Sequence, residues 1–239
     1  EPKKENNLIL NFDNYKEILL DNEIELVIIA TNSITHFELA SKALQSKKHV
    51  VLEKPITKTI SEAKELLSIA NSHNVRISPF FNFRFVDEFL KIKNLLDEKL
   101  IGEVFLIKRN VSYFNRRDDW QSVYDFDGGI LNAALIHHLD QILQITNCRP
   151  LEIFGDLRKI VSKGDAPDHC KILMKFGNNL LADLEVSWAE KSNESPWIIY
   201  GSNGVIRKEL NYLICEYFLE EEVEKIKRKK LSYLSNEKY

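Results

Sequence analysis

The tripeptide Glu53-Lys54-Pro55 follows directly on the apolar run His49-Val50-Val51-Leu52, so a lysine stands where a short buried strand gives out. At the carboxyl edge of a parallel sheet that is a ligand-binding position. An ammonium held there can donate to a substrate hydroxyl, and partial burial brings an amine closer to exchanging its proton near neutral pH. A second candidate is His137, within Asp127-Gly128-Gly129-Ile130-Leu131-Asn132-Ala133-Ala134-Leu135-Ile136-His137-His138-Leu139-Asp140. On a helix through this run Leu131, Leu135, Leu139 and Ile142 share an apolar stripe, while Ala133, His137, Asp140 and Gln144 fall on another face. Taken alone, a histidine there either does acid/base work or caps the edge of a core.

The elements that must position these groups are legible from pattern. Glu25 to Thr31 reads as a buried strand, Phe37 to Ser46 repeats apolar residues at helical spacing, and His49 to Leu52 is the next strand. That is a βαβ unit, whose strands run parallel. Thr59-Ile60-Ser61-Glu62 fits a capping box, opening a helix with Ile60, Ala63, Leu66, Leu67 and Ala70 on one stripe and an end near residues 71–74. A strand from Val75 to Phe80 and a helix through Phe89, Ile92, Leu95 and Leu96 follow, with Gly102 closing the latter.

From Glu103 the rhythm changes to period two. Glu103 to Tyr113, Leu151 to Ile160, Cys170 to Phe176, Leu180 to Trp188, Trp197 to Tyr200 and Val205 to Leu210 read as strands of an antiparallel sheet, with Gly129 to Thr146 as one embedded helix. The fold class is therefore α/β plus α+β. Residues 1–84 form a partial doubly wound parallel sheet, and residues 85–239 an open-faced antiparallel sheet domain. One helix leaves much of such a face uncovered, and Val186, Trp188, Trp197, Ile199 and Tyr200 put large apolar groups near it. An uncovered apolar face of that size marks an interface.

Strand, Thr31 turn, His36, helix, strand and Glu53-Lys54-Pro55 together resemble the glucose-fructose oxidoreductase, inositol dehydrogenase and MocA (Gfo/Idh/MocA) family. The stretch from Gly128 to Asp140 is similar to that family's G-G-x-L-x-D-x-G-x-H-x-x-D in its glycines, Leu131, His137 and Asp140. The resemblance implies a Rossmann-type domain, NAD or NADP as cofactor, and hydride transfer at a hydroxyl of a sugar, cyclitol or nucleotide-activated sugar. It gives Lys54 and His137 the acid/base work and puts Asp140 beside the substrate. Thr31, Asn32, Ser33 and His36 match the turn that lies against the nicotinamide ribose in relatives, although such residues equally cap the following helix. Glu53 is carried over to the cofactor side, as is Arg84 from Asn82-Phe83-Arg84-Phe85, which resembles N-x-R-F. Trp120 offers an aromatic face to a sugar, or fills a core.

Two departures stand out. Ala133 occupies the place where many members carry an aspartate, and Leu135 that of a glycine, which turns the substrate expectation toward nucleotide-activated sugars. All eight glycines lie at or beyond Gly102, so no G-x-G-x-x-G is present to hold a pyrophosphate at a helix N-terminus. Against the family pattern the chain starts about 60 residues late, the span of a βαβ unit with its flanks, and the expectation is an N-terminally incomplete copy. A non-catalytic member serving in assembly or sugar binding is the alternative.

Composition sets the remaining bounds. A 239-residue chain that is 44% hydrophobic has material for one large or two ordinary cores. Its net charge of −3 gives no electrostatic footing for nucleic acid. No apolar run reaches the about 20 residues that span a bilayer. Lys227-Arg228-Lys229-Lys230 follows Glu220-Glu221-Glu222 and reads as a solvated mixed-charge tail. Cys148, Cys170 and Cys215 are widely spaced, which fits reduced thiols in a cytoplasmic protein. No metal site is expected, because the adjacent His137 and His138 point about 100° apart on a helix. Relatives pair through the second-domain sheet, so a homodimer or homotetramer is the implied assembly.

Overall fold

The computed structural model describes residues 12–191, 194–219 and 222–232. The chain divides into two compact units, one ending at Phe80 and the next beginning at Phe81.

In the first unit α1 (Tyr15–Leu20) precedes β1 (Leu26–Ile29), α2 (His36–Gln45), β2 (His49–Leu52), α3 (Ile60–Ser72) and β3 (Ile77–Pro79). The strands form a parallel sheet in the order β1-β2-β3, with Leu26 to Ile29 registered against His49 to Leu52 and Val50 to Leu52 against Ile77 to Pro79. Its core is aliphatic: Ile29, Ala40, Ala43, Leu44, Val50, Leu52, Leu66 and Ala70. Both halves of the expected capping box are present at α3. The Thr59 hydroxyl accepts from the Glu62 amide at 3.2 Å, and Glu62 Oε2 accepts from the Thr59 amide at 2.9 Å.

In the second unit α4 (Asp87–Asp97), β4 (Val104–Ser112), α5 (Ile136–Thr146), β5 (Glu152–Arg158), β6 (His169–Lys175), β7 (Leu181–Ser187), β8 (Trp197–Gly201), β9 (Gly204–Glu209), β10 (Tyr212–Leu219) and β11 (Glu222–Ser232) follow. The sheet order is β11-β10-β9-β8-β4-β7-β6-β5. All neighbours are antiparallel except β4 and β7, which run parallel from Leu106↔Leu181 to Ser112↔Ser187. Two strands of the same direction end up adjacent because β4 enters the middle of the sheet, between the β5-β6-β7 and β8-β9-β10-β11 meanders.

Three expectations need correction here. Lys227 to Lys230 belong to a strand rather than a tail, with Lys227, Arg228 and Lys230 solvated as expected. They alternate along the edge strand β11, where Lys229 pairs with Glu98 at 2.8 Å, Arg228 with Glu216 at 3.5 Å, and the Lys230 ammonium sits 3.9 Å from the centre of the Tyr212 ring. Charge on an edge strand keeps it from pairing with other chains; Glu220 and Glu221 lie outside the described residues. Second, Val186, Trp188, Trp197 and Ile199 are fully buried on the covered face, packed with Phe89, Ile92 and Leu95 of α4 as well as Leu135 and Ile142. Two helices cover that face instead of one. Only Tyr200 stands in the outward phase. Third, the expected helix from Gly129 to Thr146 is not uniform: residues Leu131–Leu135 form a π turn that runs into α5.

Candidate functional site

In the first unit, parallel pairing brings the carboxyl ends of β1 and β2 to one edge of the sheet. Thr31, Asn32 and Ser33 follow β1 there, and Glu53, Lys54 and Pro55 follow β2. Asn32 spends its side chain on capping: Oδ1 accepts from the Ile34 amide at 3.2 Å, and its carbonyl accepts from the Thr35 amide and hydroxyl at 3.0 and 2.8 Å. Ser33 is buried, whereas Thr31 is exposed, its hydroxyl 2.7 Å from that of Thr35.

His36 is buried, and both of its ring nitrogens face carbonyl oxygens, Nδ1 that of Pro55 at 2.7 Å and Nε2 that of Thr31 at 3.2 Å. A carbonyl only accepts, so the shorter contact places a proton on Nδ1. The ring thereby ties the end of β1 to the loop that carries Lys54. Placed among the ribose-facing residues by resemblance, His36 acts in the structure as the tie between two loops. Lys54 is half-buried, and its amide donates to Glu53 Oε2 at 3.3 Å; the Lys54–Pro55 peptide is cis.

In the second unit, the turn Asn82–Phe85 and the helix α5 grip one another. Arg84 donates to Asp140 in a bidentate pair, Nε to Oδ2 at 2.7 Å and Nη2 to Oδ1 at 2.6 Å. That hydrogen bonding holds the Arg84 guanidinium above its ordinary pKa, with burial acting the other way. Both oxygens of Asp140 are thus committed to Arg84. Gln141 Nε2 donates to the Phe83 carbonyl at 2.9 Å. His137, 7% exposed, has the Phe83 ring stacked on it and the Phe81 ring edge-on, centroids 4.2 and 6.3 Å away. A π turn widens the backbone immediately before this histidine, a feature that recurs at functional sites. Ala133 is packed among apolar side chains and Leu135 is fully buried, so the two departures from the family pattern face hydrocarbon.

Trp120, 43% exposed, stands on a short turn, Trp120–Ser122, whose first amides are met by Asp119. That loop is laced to residues 160–168. Lys163 donates to the Arg117 carbonyl at 3.0 Å, Ala166 to that of Ser122 at 3.0 Å, and Ile130 to that of Pro167 at 2.8 Å. A Cβ on Gly164 would fall 1.9 Å from the Ser122 carbonyl oxygen, so only glycine permits this approach. Asp168 anchors the loop by accepting from the amides of Ile160, Val161 and Ser162 at 2.7, 2.7 and 2.5 Å. Phe83 and Asp168 escaped the sequence reading. The available signal for Phe83 was its place inside Asn82-Phe83-Arg84-Phe85; Asp168 carried no local signal.

The structure therefore gathers His137, Arg84 and Asp140 around Phe83 in one unit, and Thr31 to Ser33, His36, Glu53 and Lys54 at one sheet edge in the other. Among the described residues no group of three or more His, Cys, Asp and Glu side chains is placed to hold a metal, and no helix is long and apolar enough to cross a membrane.

The oxidoreductase-family NAD-binding Rossmann fold matches residues 3–81, and the GFO/IDH/MocA C-terminal domain matches residues 89–207. The chain belongs to the Gfo/Idh/MocA family. An uncharacterized oxidoreductase of Escherichia coli (strain K12), YhhX, is 29% identical over 188 residues, covering 79% of this chain and 54% of YhhX. The scyllo-inositol 2-dehydrogenase (NADP(+)) IolW of Bacillus subtilis (strain 168) is 34% identical over 166 residues, 68% of this chain and 46% of IolW. The chain spans about half the length of these curated relatives. A levoglucosan dehydrogenase solved with NADH and levoglucosan matches with a TM-score of 0.80 at 19% identity, over 92% of this chain and 64% of the other, a likeness of fold.

The family is one of NAD-binding oxidoreductases, and the first unit has polar groups of the kind a cofactor's ribose would meet. It offers an exposed hydroxyl at Thr31 and a carboxylate and an ammonium at Glu53 and Lys54, all at the carboxyl ends of parallel strands.

Proposed function

We propose that this chain belongs to an NAD(P)-dependent dehydrogenase acting on a hydroxyl of a sugar, cyclitol or nucleotide-activated sugar. The observation that carries the reading is the position of Lys54, at the carboxyl end of the central strand of a parallel sheet, in a chain of this family. The cofactor, when bound, supplies the hydride acceptor. The protein's share is proton management, for which we propose Lys54 in the first unit and His137 in the second as the acid/base groups. Arg84, held by Asp140, and the exposed hydroxyl of Thr31 serve the cofactor, and Trp120 lends an aromatic face to the substrate. IolW is named for an inositol and a structural neighbour for an anhydrosugar; both support a polyhydroxylated substrate.

We place the protein in the cytoplasm, where its three unpaired cysteines stay reduced, and propose a homodimer or homotetramer through the outer face of the second-unit sheet. That face carries an apolar row, Leu181, Leu106, Tyr200 and Val205, across four neighbouring strands, flanked by pairs such as Lys171 with Asp183 at 2.7 Å and with Glu185 at 2.8 Å.

The test is reduction of NAD+ or NADP+, followed by nicotinamide absorbance, across inositols, anhydrosugars and nucleotide sugars. Reduction that depends on one of these classes supports the reading. Reduction with none of them, by a protein that binds the cofactor, overturns it. For assembly, light scattering after size exclusion should report a dimer or larger, and a clean monomer at micromolar concentration would sink that part.

A further inference from the structure

Arg109 is a buried cation in the middle of the sheet, in the inward phase of β4 beside Ile107. Burying a charge is costly unless it is paired and hydrogen-bonded, and Arg109 is only partly compensated. Its guanidinium lies over the Trp197 indole, 4.4 Å from the ring centre, and Nη1 donates to the Pro196 carbonyl at 3.0 Å. Glu88 is 4.0 Å away and is itself paired with Lys208, while Nε has no partner among the described residues. The remaining arm, Nη2, donates to Nδ1 of His138 at 3.1 Å.

That last bond settles a tautomer. A guanidinium has no lone pair to offer, so Nδ1 of His138 is the acceptor and the ring proton sits on Nε2. The Gln141 amide oxygen, 3.4 Å from the same nitrogen, is then not its hydrogen-bond partner. Gln141 is oriented from its other end, through Nε2 to the Phe83 carbonyl. His138 is neutral in this setting, for burial disfavours its charged form and the Arg109 charge adds to that.

We propose that Arg109 is a positioning residue for His137. It pins His138 as the Nε2–H tautomer, and with it the first turn of α5, so that His137 is held against Phe83. The inference rests on the proposed role of His137. The need for a pin follows from the π turn: the helix reaches His137 from a widened, irregular turn, which by itself does not fix the rotational setting of α5. The charged groups around the pair are Arg109 on β4, Glu88 on α4, Lys208 on β9, and the Arg84–Asp140 pair joining the Asn82–Phe85 turn to α5. Of these, Arg109 donates directly to the His138 imidazole.

The test is long-range proton–nitrogen NMR of the imidazoles in the full chain, with signals assigned by their loss in His137→Gln and His138→Gln, and it needs neither substrate nor cofactor. In the wild type His138 should show the Nε2–H pattern and not titrate between about pH 5 and 8. In Arg109→Met, His138 should no longer hold the single Nε2–H pattern, and the His137 ring protons should lose part of their shift from Phe83. Arg109→Lys, which keeps the charge and loses the fork, should leave His138 uncharged but no longer hold a single tautomer. A wild-type His138 carrying its proton on Nδ1, or titrating in that window, would overturn the proposal even if no variant folds. So would an Arg109→Met protein whose two imidazoles match the wild type. Absence of dehydrogenase activity with these spectra as expected would count against the oxidoreductase reading alone.

Discussion

The Phe83 ring lies nearly flat on the His137 imidazole, centroids 4.2 Å apart and planes 19° from parallel. One helix holds both partners: His137 is on α5, and Gln141, one turn later, fixes the main chain of Phe83. Phe83→Leu keeps apolar volume and removes the aromatic face, so it should cost about 0.5–1.5 kcal/mol beyond the change in buried area, read from urea midpoints. The His137 ring protons should move downfield at the same time. An unchanged His137 spectrum would mean that the stack is not formed in solution.

Lys54 and His137 are the proposed proton carriers. In an active protein Lys54→Ala and His137→Ala should each lower turnover by roughly 10² or more, the usual scale of general acid/base catalysis. Circular dichroism should stay that of the parent. Near-normal kcat in either variant removes that residue from the mechanism.

Asp168 carries a pH signature. Burial opposes its charge, but the amides of Ser162, Val161 and Ile160 outweigh burial and hold its pKa below the ordinary aspartate range. Because the folded value is the lower one, the stabilisation is complete above about pH 4, the unfolded value, and is lost as pH falls through the folded value. Asp168→Asn should therefore cost about 2 kcal/mol at neutral pH and progressively less in acid. A wild-type minus variant difference that stays constant down to about pH 2 would show that the carboxylate charge is not what holds the loop.

The thiols should divide by burial. Cys170 and Cys215 are buried, and their pKa values are pushed up to about 11, by burial and, for Cys170, the charge of Asp156, and for Cys215 chiefly burial and Glu98. Cys148 is exposed. A thiol reagent at mildly alkaline pH should label Cys148 quickly, leaving the other two until the chain unfolds, since thiolate is the reacting form. Rapid labelling of Cys170 in the native protein would contradict the packing of β6.

Much of the candidate site was written locally. The run His49 to Leu52 is a strand residue for residue as its pattern reads, and a strand that short and apolar has to end at Glu53, which puts Lys54 at its carboxyl edge. Thr59 and Glu62 meet three residues apart, a distance set by one helical turn, so the capping box was legible without any tertiary information. The helical register around His137 is likewise local, which is why His137 and Asp140 share a neighbourhood.

What the sequence by itself could not determine depends on partners far along the chain. Alternation gave the strands of the second unit their period, but their order, including the parallel neighbours β4 and β7, is set by which pairings bury the most side chain together. For the same reason Trp188 and Trp197 were assigned to the wrong face: period two says that alternate residues share a side, and only packing against α4 and α5 says which side is inside. The charged edge strand β11 looked like a solvated tail because its stability comes from Glu98, Tyr212 and Glu216, more than ten residues away or across the sheet. Arg109 and Asp168 belong here too. Each is an ordinary charged residue in sequence, given its task by a buried imidazole or three loop amides that only the folded chain brings within hydrogen-bonding distance.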